Sequence, residues 1–286
     1  MNPMKVVLCG YNWTGCRVLE HLLQRQDVSD IAVFTHEPPP ELPDLRPLAS
    51  AVGIWCTTES INQVPLPFAA DVIASVYYRL IVKPHVIASV RGRIFNMHPS
   101  LLPRHRGCSS IPWAIIEGDT VTGVTFHYMD ESIDTGRIIL QAAVPIASDE
   151  TQASLFRRCM HRGVEFWPAA LELVKAGFPG APAQGASSFH KRGAPYGGVI
   201  QEGWPVDQVE RFIRAMIFPP YPSATFRGHE IKSLADYMQV IRFEATSAGS
   251  SQETGVERAL KCNEMKAGER KRSGNCRVRP RKGVNA

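Results

Sequence analysis

The sequence predicts an α/β, doubly wound fold, and three observations carry that reading. Short, continuous runs of apolar and β-branched residues at 5–9, 31–35 and 71–76 read as strands buried on both faces, as in a parallel sheet. A stretch with apolar residues at helical spacing separates the first two, which gives a β-loop-α-β unit. Polar residues then gather where later strands end, the place where sheets of this kind bind ligands.

The elements follow in order. Residues 5–9 form a strand and 10–15 a turn. Residues 16–25 form a helix with Val18, Leu19, Leu22 and Leu23 inward. Gly10 and Gly15 stand at G-x-x-x-x-G spacing, without the middle glycine of a dinucleotide fingerprint or the Lys-Ser/Thr of a phosphate loop, so neither site is expected. After the strand 31–35, the proline-rich, acidic stretch 36–47 is a loop. Then come a helix at 48–52 and strands at 54–57 and 71–76, with 77–81 at a carboxyl strand end. Residues 87–90 and 93–95 read as the approach to and entry into a strand that ends at Pro99, which has no N–H for a ladder. A helix at 111–117 stops at Gly118, residues 123–129 alternate as a strand, and 130–136 form a polar loop before 137–141. A long amphipathic helix spans 151–175, its stripe being Leu155, Phe156, Met160, Val164, Phe166 and Trp167. A Gly/Ala/Pro-rich linker at 176–195, a helix at 205–215, and a short strand and helix within 230–242 complete the body.

Composition sets outer limits. The chain has 286 residues, enough for one large domain or a domain with an appendage, and 44% hydrophobic residues, ordinary for a globular protein. No run approaches a membrane span, and the first residues carry neither a long apolar core nor a small-residue cleavage pattern. The seven cysteines include no C-x-x-C pair and are odd in number. That pattern argues for reduced thiols in the cytoplasm and against a disulfide framework or a structural zinc site. Residues 243–286 hold ten Lys or Arg and five Glu, which accounts for the whole formal charge of +5, so residues 1–242 are neutral. This tail is too polar to bury a core and is expected to be disordered.

Asn96 and His98 lie two apart on the strand that ends at Pro99, so they aim at one place. An amide donates to an oxygen that becomes negative, an imidazole takes a proton near neutral pH, and a carboxylate such as Asp134 orients the imidazole and stabilises its charged form. Together they suit attack on an acyl carbon by an amine supplied by the substrate. His105 and His127 lie off this pattern and are expected to be exposed or satisfied by packing.

The run Asn96-Met97-His98-Pro99-Ser100-Leu101-Leu102-Pro103, then Arg106-Gly107, Gly123-Val124-Thr125, and Asp130 to Asp134-Thr135-Gly136, resembles the folate-dependent formyltransferases. The resemblance is strong over 71–160 and weaker from the N-terminus to 242. It implies a Rossmann-like catalytic domain at 1–175, a C-terminal subdomain at 176–242 that completes the substrate site, and the tail at 243–286. It also implies that Asn96, His98 and Asp134 are catalytic and that 10-formyltetrahydrofolate is the formyl donor, with no metal. Tyr78, Arg79, Leu101, Leu102, Pro103, Asp130 and Ile133 would bind the folate. Tyr11, Asn12, His36, Arg106 and Tyr221 would bind the second substrate. For Tyr11 and Asn12 plain loop packing is the alternative, and for Arg79 a surface position.

Residues 212–222, with Phe218-Pro219-Pro220-Tyr221-Pro222, resemble the sugar N-formyltransferases more than the methionyl-tRNA enzyme. The expected acceptor is therefore a nucleotide-linked amino-dideoxyhexose for cell-surface glycan synthesis. The favoured one is dTDP-4-amino-4,6-dideoxyglucose, with GDP-perosamine or a 3-amino sugar as alternatives. Methionyl-tRNA formylation is the second reading; it calls for a large basic surface and, in that family, a folded C-terminal barrel, whereas the body here is neutral. No nucleic-acid or membrane partner is expected, and a homodimer is compatible with the sequence.

Overall fold

The computed structural model describes residues 3–247. The chain divides into two units, residues 1–234 and 235–286, and each is described by itself. The strands in chain order are β1 (Met4–Gly10), β2 (Val28–Phe34), β3 (Trp55–Thr57), β4 (Val72–Val76), β5 (Ile94–His98), β6 (Arg106–Gly107), β7 (Val121–Tyr128), β8 (Ile138–Pro145) and β9 (Phe189–His190). Seven of them make one sheet in the order β3-β2-β1-β4-β5-β7-β8. The neighbours from β3 to β5 pair in parallel, and β7 and β8 run antiparallel. β1 and β4 are buried on both faces, which is why their sequences read as unbroken apolar runs. Strand order reverses between β1 and β4, so a crevice opens at their carboxyl ends.

Helices cover the sheet. α1 (Asn12–Leu23) starts at once after β1, so the expected six-residue turn shrinks to Tyr11. Asn12 makes this possible by taking a left-handed φ of 61°, with its Oδ1 accepting the Trp13 N–H at 2.6 Å. Leu23, expected inward, ends exposed. α2 (Leu45–Ala51) begins earlier than expected because Asp44 caps it, accepting the Arg46 N–H at 3.0 Å, and Pro47 sits in the first turn, where no N–H is needed. The expected extended approach at 87–90 is instead largely helix, α3 (Pro84–Ser89), which opens with proline at a first-turn position.

α4 (Ser110–Ile116) follows β6. α5 (Gln152–Lys175) is capped by Thr151 in a reciprocal bond with Ser154. It buries Leu155, Met160, Val164 and Trp167 as expected, while Phe156 and Phe166 are only half-buried. Gly163 lets α5 lie directly on the back of β5: a Cβ there would stand 2.5 Å from Met97 Sδ. Met97 points opposite to Asn96 and His98, so α5 backs the strand that carries them.

Residues 176–195, expected to be a linker, are tied to the rest through β9, which pairs in parallel with β6. A two-residue strand has no period to read, and this pairing is therefore invisible in the sequence. α6 (Val206–Ala215) buries Val209, Phe212 and Ile213, and β10 (Ala224–Phe226) pairs with β11 (His229–Ile231). The second unit's described part is α7 (Leu234–Ser247) without its first residue, and this helix runs past the boundary expected at 242. Apart from its first five residues, the tail expected at 243–286 lies outside the described residues. Among the described residues no helix is long and apolar enough to cross a membrane.

Candidate active site

Asn96 sits between two cross-strand neighbours, Ser75 on β4 and His127 on β7. The Ser75 hydroxyl donates to Asn96 Oδ1 at 2.8 Å, which turns the amide nitrogen towards the site. That nitrogen lies 3.3 Å from His127 Nε2. His127 Nδ1 lies 2.8 Å from the Tyr128 carbonyl, which only accepts, so Nδ1 carries a proton and Nε2 of the neutral ring accepts from Asn96. One amide N–H of Asn96 is thus held by His127, and the second remains for a ligand.

His98 is buried, and its Nε2 donates to the His105 carbonyl at 2.8 Å. The nitrogen left to exchange a proton is Nδ1, which stands 3.4 Å from Asp134 Oδ2. Burial pulls the His98 pKa below its ordinary value, and the nearby Asp134 carboxylate only partly opposes that. Asp134 arrives on the loop after β7 in a left-handed conformation, φ 54°. Its Oδ2 accepts the Gly107 N–H at 2.7 Å, and its Oδ1 stands 3.4 Å from His127 Nε2. Burial pushes Asp134 upward, but His98 and His127 in their protonated forms, together with the Gly107 N–H, outweigh it and hold the carboxyl at about 2. Gly107 itself has φ +86°, and a Cβ there would meet the His190 carbonyl oxygen at 2.3 Å. The result is a fixed N–H donor, a neutral imidazole and a permanent carboxylate within one buried site.

The loop after β5 is wired to its surroundings. Leu102 N–H donates to Thr125 Oγ1 at 3.1 Å, and the Leu102 carbonyl accepts from Gln141 Nε2 at 2.9 Å. The Leu102–Pro103 peptide is cis. Leu101 is half-buried beside Gly123. Asp130 closes the loop that brings Asp134 in, its Oδ1 accepting from Ser132 N–H at 3.0 Å and from the Thr135 hydroxyl at 2.7 Å, and Ile133 is exposed on it. Leu101, Leu102, Pro103, Asp130 and Ile133 thus lie on the two loops that frame the trio.

Tyr78 and Arg79 sit elsewhere, in one cluster with Tyr11 and His36 at the carboxyl ends of β1, β2 and β4. The His36 ring stacks on Tyr78 at 4.5 Å and meets Tyr11 edge-on at 5.5 Å. The Arg79 guanidinium lies 5.7 Å from the Tyr11 ring centre, Arg79 N–H donates to His36 Nε2 at 2.9 Å, and Arg192 donates to the Arg79 carbonyl. Burial, with Arg79 and Arg192, keeps the His36 pKa below its ordinary value, which preserves Nε2 as an acceptor. Tyr78 and Arg79, expected at the folate, and Tyr11 and His36, expected at the second substrate, thus stand together. Asn12 spends its Oδ1 on the Trp13 N–H.

From Tyr11 an aromatic path leads outward through Tyr77 (6.1 Å), Phe156 (5.4 Å) and Phe218 (5.3 Å) to Tyr221 (5.6 Å, rings 5° apart). Tyr221 is 64% exposed. Arg106 lies over Phe189, and its buried Nε has no hydrogen-bond partner among the described residues.

His127, His105, Ser75 and Tyr77 stand in or against this arrangement, and the sequence reading gave none of them a role. The two histidines are buried, and the only signal for His127 was the alternation of 123–129, which puts Thr125 and His127 on one face. His105, Glu117 and His190 offer three ligand atoms within 4.8 Å of one another. Those groups are committed to each other, to Asp119 and to the positive charge of Arg104, so the set does not suit a cation.

Comparison with known proteins identifies the family. Residues 23–171 match the family described as Formyl transferase. A GDP-perosamine N-formyltransferase from Brucella melitensis is 35% identical over 206 residues, covering 70% of this chain and 80% of the relative, and one from Brucella abortus matches equally. The fold resembles the crystal structure of a 4-N formyltransferase from Francisella tularensis, with TM-score 0.67, 21% identity, and 80% and 96% of the two chains covered. It also resembles that of a sugar 3N-formyl transferase in the presence of dTDP and 5-N-formyl-THF, with TM-score 0.66, 22% identity, and 81% and 86% covered.

Proposed function

The chain belongs to the formyl transferase family and is an enzyme that transfers a formyl group; from that premise we propose that it moves the group from 10-formyltetrahydrofolate to the amine of a nucleotide-linked 4-amino-4,6-dideoxyhexose, with GDP-perosamine as the acceptor. The observation that carries the chemistry is the fixed setting of Asn96, His98 and Asp134 at the carboxyl end of β5. The neutral amine attacks the formyl carbon, and the carbonyl oxygen becomes an oxyanion that takes an N–H from Asn96 Nδ2. His98 Nδ1 takes the proton that the new C–N bond makes acidic, and Asp134 stabilises the imidazolium. The same proton passes to N10 as its bond to the formyl carbon breaks, releasing tetrahydrofolate and the formamide. No metal enters these steps.

The folate lies against the loops of Leu101 to Pro103 and of Asp130 and Ile133. The diphosphate faces Arg79, Arg192 and Arg106, whose Nε lacks a partner among the described residues, and the base stacks on Tyr221. GDP rather than dTDP is favoured by the two Brucella relatives, named for GDP-perosamine. The neutral charge of residues 1–242 disfavours tRNA as acceptor.

The test is a panel of GDP-perosamine, dTDP-4-amino-4,6-dideoxyglucose, a dTDP-3-amino sugar and charged initiator tRNA, each with 10-formyltetrahydrofolate, read by folate release and product mass. GDP-perosamine should be formylated fastest. Formylation of the tRNA with no activity on any amino sugar would overturn the reading.

A further inference from the structure

The geometry points to a second set of residues that serves the reaction without touching the substrates: the half-buried Asp119 and His190 and the buried His105 form a positioning relay that holds the His105 carbonyl where it fixes the tautomer of His98. This inference rests on the reading of His98 as the proton acceptor.

The His105 carbonyl is the group that obliges His98 to carry its proton on Nε2 and present Nδ1 to the site. Were the carbonyl to swing away, the neutral ring could carry its proton on Nδ1 instead. Nδ1–H would then donate to Asp134, and the ring could not take a proton from an amine on that side. Orientation of this one carbonyl is therefore decisive, and residue 105 is held with unusual thoroughness. Its backbone is left-handed, φ 55°, a strained conformation that persists where surroundings enforce it. Its N–H donates to Ser188 Oγ at 2.8 Å.

Its ring supplies the rest. His105 Nε2 donates to Asp119 Oδ2 at 2.8 Å, and Asp119 is itself paired with Arg104 at 2.7 Å. A carboxylate only accepts, so Nδ1 of the neutral ring is the acceptor for His190 Nε2–H at 3.0 Å. His190 is clamped in turn. Trp113 stacks on its face at 4.5 Å with rings 9° apart, and its carbonyl accepts the Cys108 N–H at 2.9 Å. The relay therefore joins three separate segments: the loop after β5, the turn between α4 and β7, and β9. It explains the two-strand pairing of β6 and β9, which otherwise ties a surface segment to the active-site loop to no evident end. None of the three side chains is within the Asn96–His98–Asp134 group, so they are positioning residues.

The experiment compares the full-length wild type with His105→Asn, His190→Ala and His190→Gln. Asparagine tolerates left-handed backbone and so removes the ring bonds while sparing the turn. The readouts are steady-state kinetics and 15N NMR of the His98 ring, which distinguishes Nε2–H from Nδ1–H without any substrate. His105→Asn should lower kcat at least about tenfold, the range for losing a group that orients a catalytic ligand, with KM for both substrates within about twofold. The His98 spectrum should shift towards the Nδ1–H form. His190→Ala should move both readouts in the same direction by less, and His190→Gln, whose amide N–H can still reach His105 Nδ1, should restore them. If His105→Asn fails to fold, the two His190 variants decide. Unchanged tautomer in folded variants, whether or not kcat falls, would overturn the relay. Wild-type protein with the Nε2–H tautomer but no formylation of any amino sugar would instead overturn the reaction assigned above and leave the relay standing.

Discussion

Two parts of the ligand-facing side are built on opposite principles. At the carboxyl end of β5, Asn96 Oδ1, His98 Nε2, His127 Nδ1 and Asp134 Oδ2 each bond to another part of the chain before any substrate arrives. At the ends of β1, β2 and β4, by contrast, a buried Tyr11 and half-buried His36 and Tyr78 rings contact one another, and the guanidinium of the exposed Arg79 lies over the Tyr11 ring. Tyr221, at the far end of the ring path, is mostly exposed. The first region is preorganised, so charge that develops in the transition state meets groups already in place. The second is left for the ligand to complete. Substitutions should therefore separate cleanly into those that lower kcat and those that raise KM.

The largest effect is expected at Asp134. Asp134→Ala should lower kcat by about three orders of magnitude or more, since it removes the charge that stabilises the imidazolium. The double variant with His98→Ala should be little worse than the poorer single one, because the two act as a unit. A multiplicative loss in steady-state rates would break that unit apart. Asn96→Ala should follow, with a loss of about two to three orders of magnitude in kcat, the usual consequence of deleting one oxyanion donor. Equal loss in KM would place Asn96 among the binding groups.

On the other side of the comparison, Tyr221→Ala should raise KM for the nucleotide sugar about tenfold, in line with about 1–3 kcal/mol per stacked base, and leave kcat and the folate KM nearly unchanged. A fall in kcat alone would show that the aromatic path reaches the chemistry.

The smallest effect is a shift in pH. Burial holds the His98 pKa below its ordinary 6.5 and Asp134 raises it part of the way back. The base form is therefore lost only as pH falls below 6.5, and the unfolded chain, which binds this proton more readily, gains on the folded one over the same range. Asp134 acts lower down: its stabilisation is present above 3.8 and disappears as pH falls through about 2. In Asp134→Asn the raising influence is gone, so an NMR titration of His98 should move to lower pH. A move upward would contradict the pairing.

The strand that carries Asn96 and His98 was legible because its signal is local: the two residues are two apart, Pro99 ends the ladder, and apolar runs announce the buried strands before it. The approach of Asp134 to His98 was legible only through the resemblance, since nothing in the spacing of 98 and 134 says that the loop returns. His127 depended on the register that sets it opposite Asn96, and His105 and His190 on a pairing of two-residue strands; neither leaves a period in the sequence. The helix α3 went unread because Pro84 opens it within a stretch rich in β-branched residues. The turn at Tyr11 was overestimated because Asn12 turns the chain within a single residue.

The central claim is that His98 acts on the proton and not on binding. The direct test is the single-turnover rate of His98→Ala with GDP-perosamine and 10-formyltetrahydrofolate, set beside calorimetric binding of each ligand to the same variant. The account predicts a rate lower by about three orders of magnitude or more with dissociation constants within about twofold of wild type. Turnover near the wild-type rate with both substrates bound would contradict it.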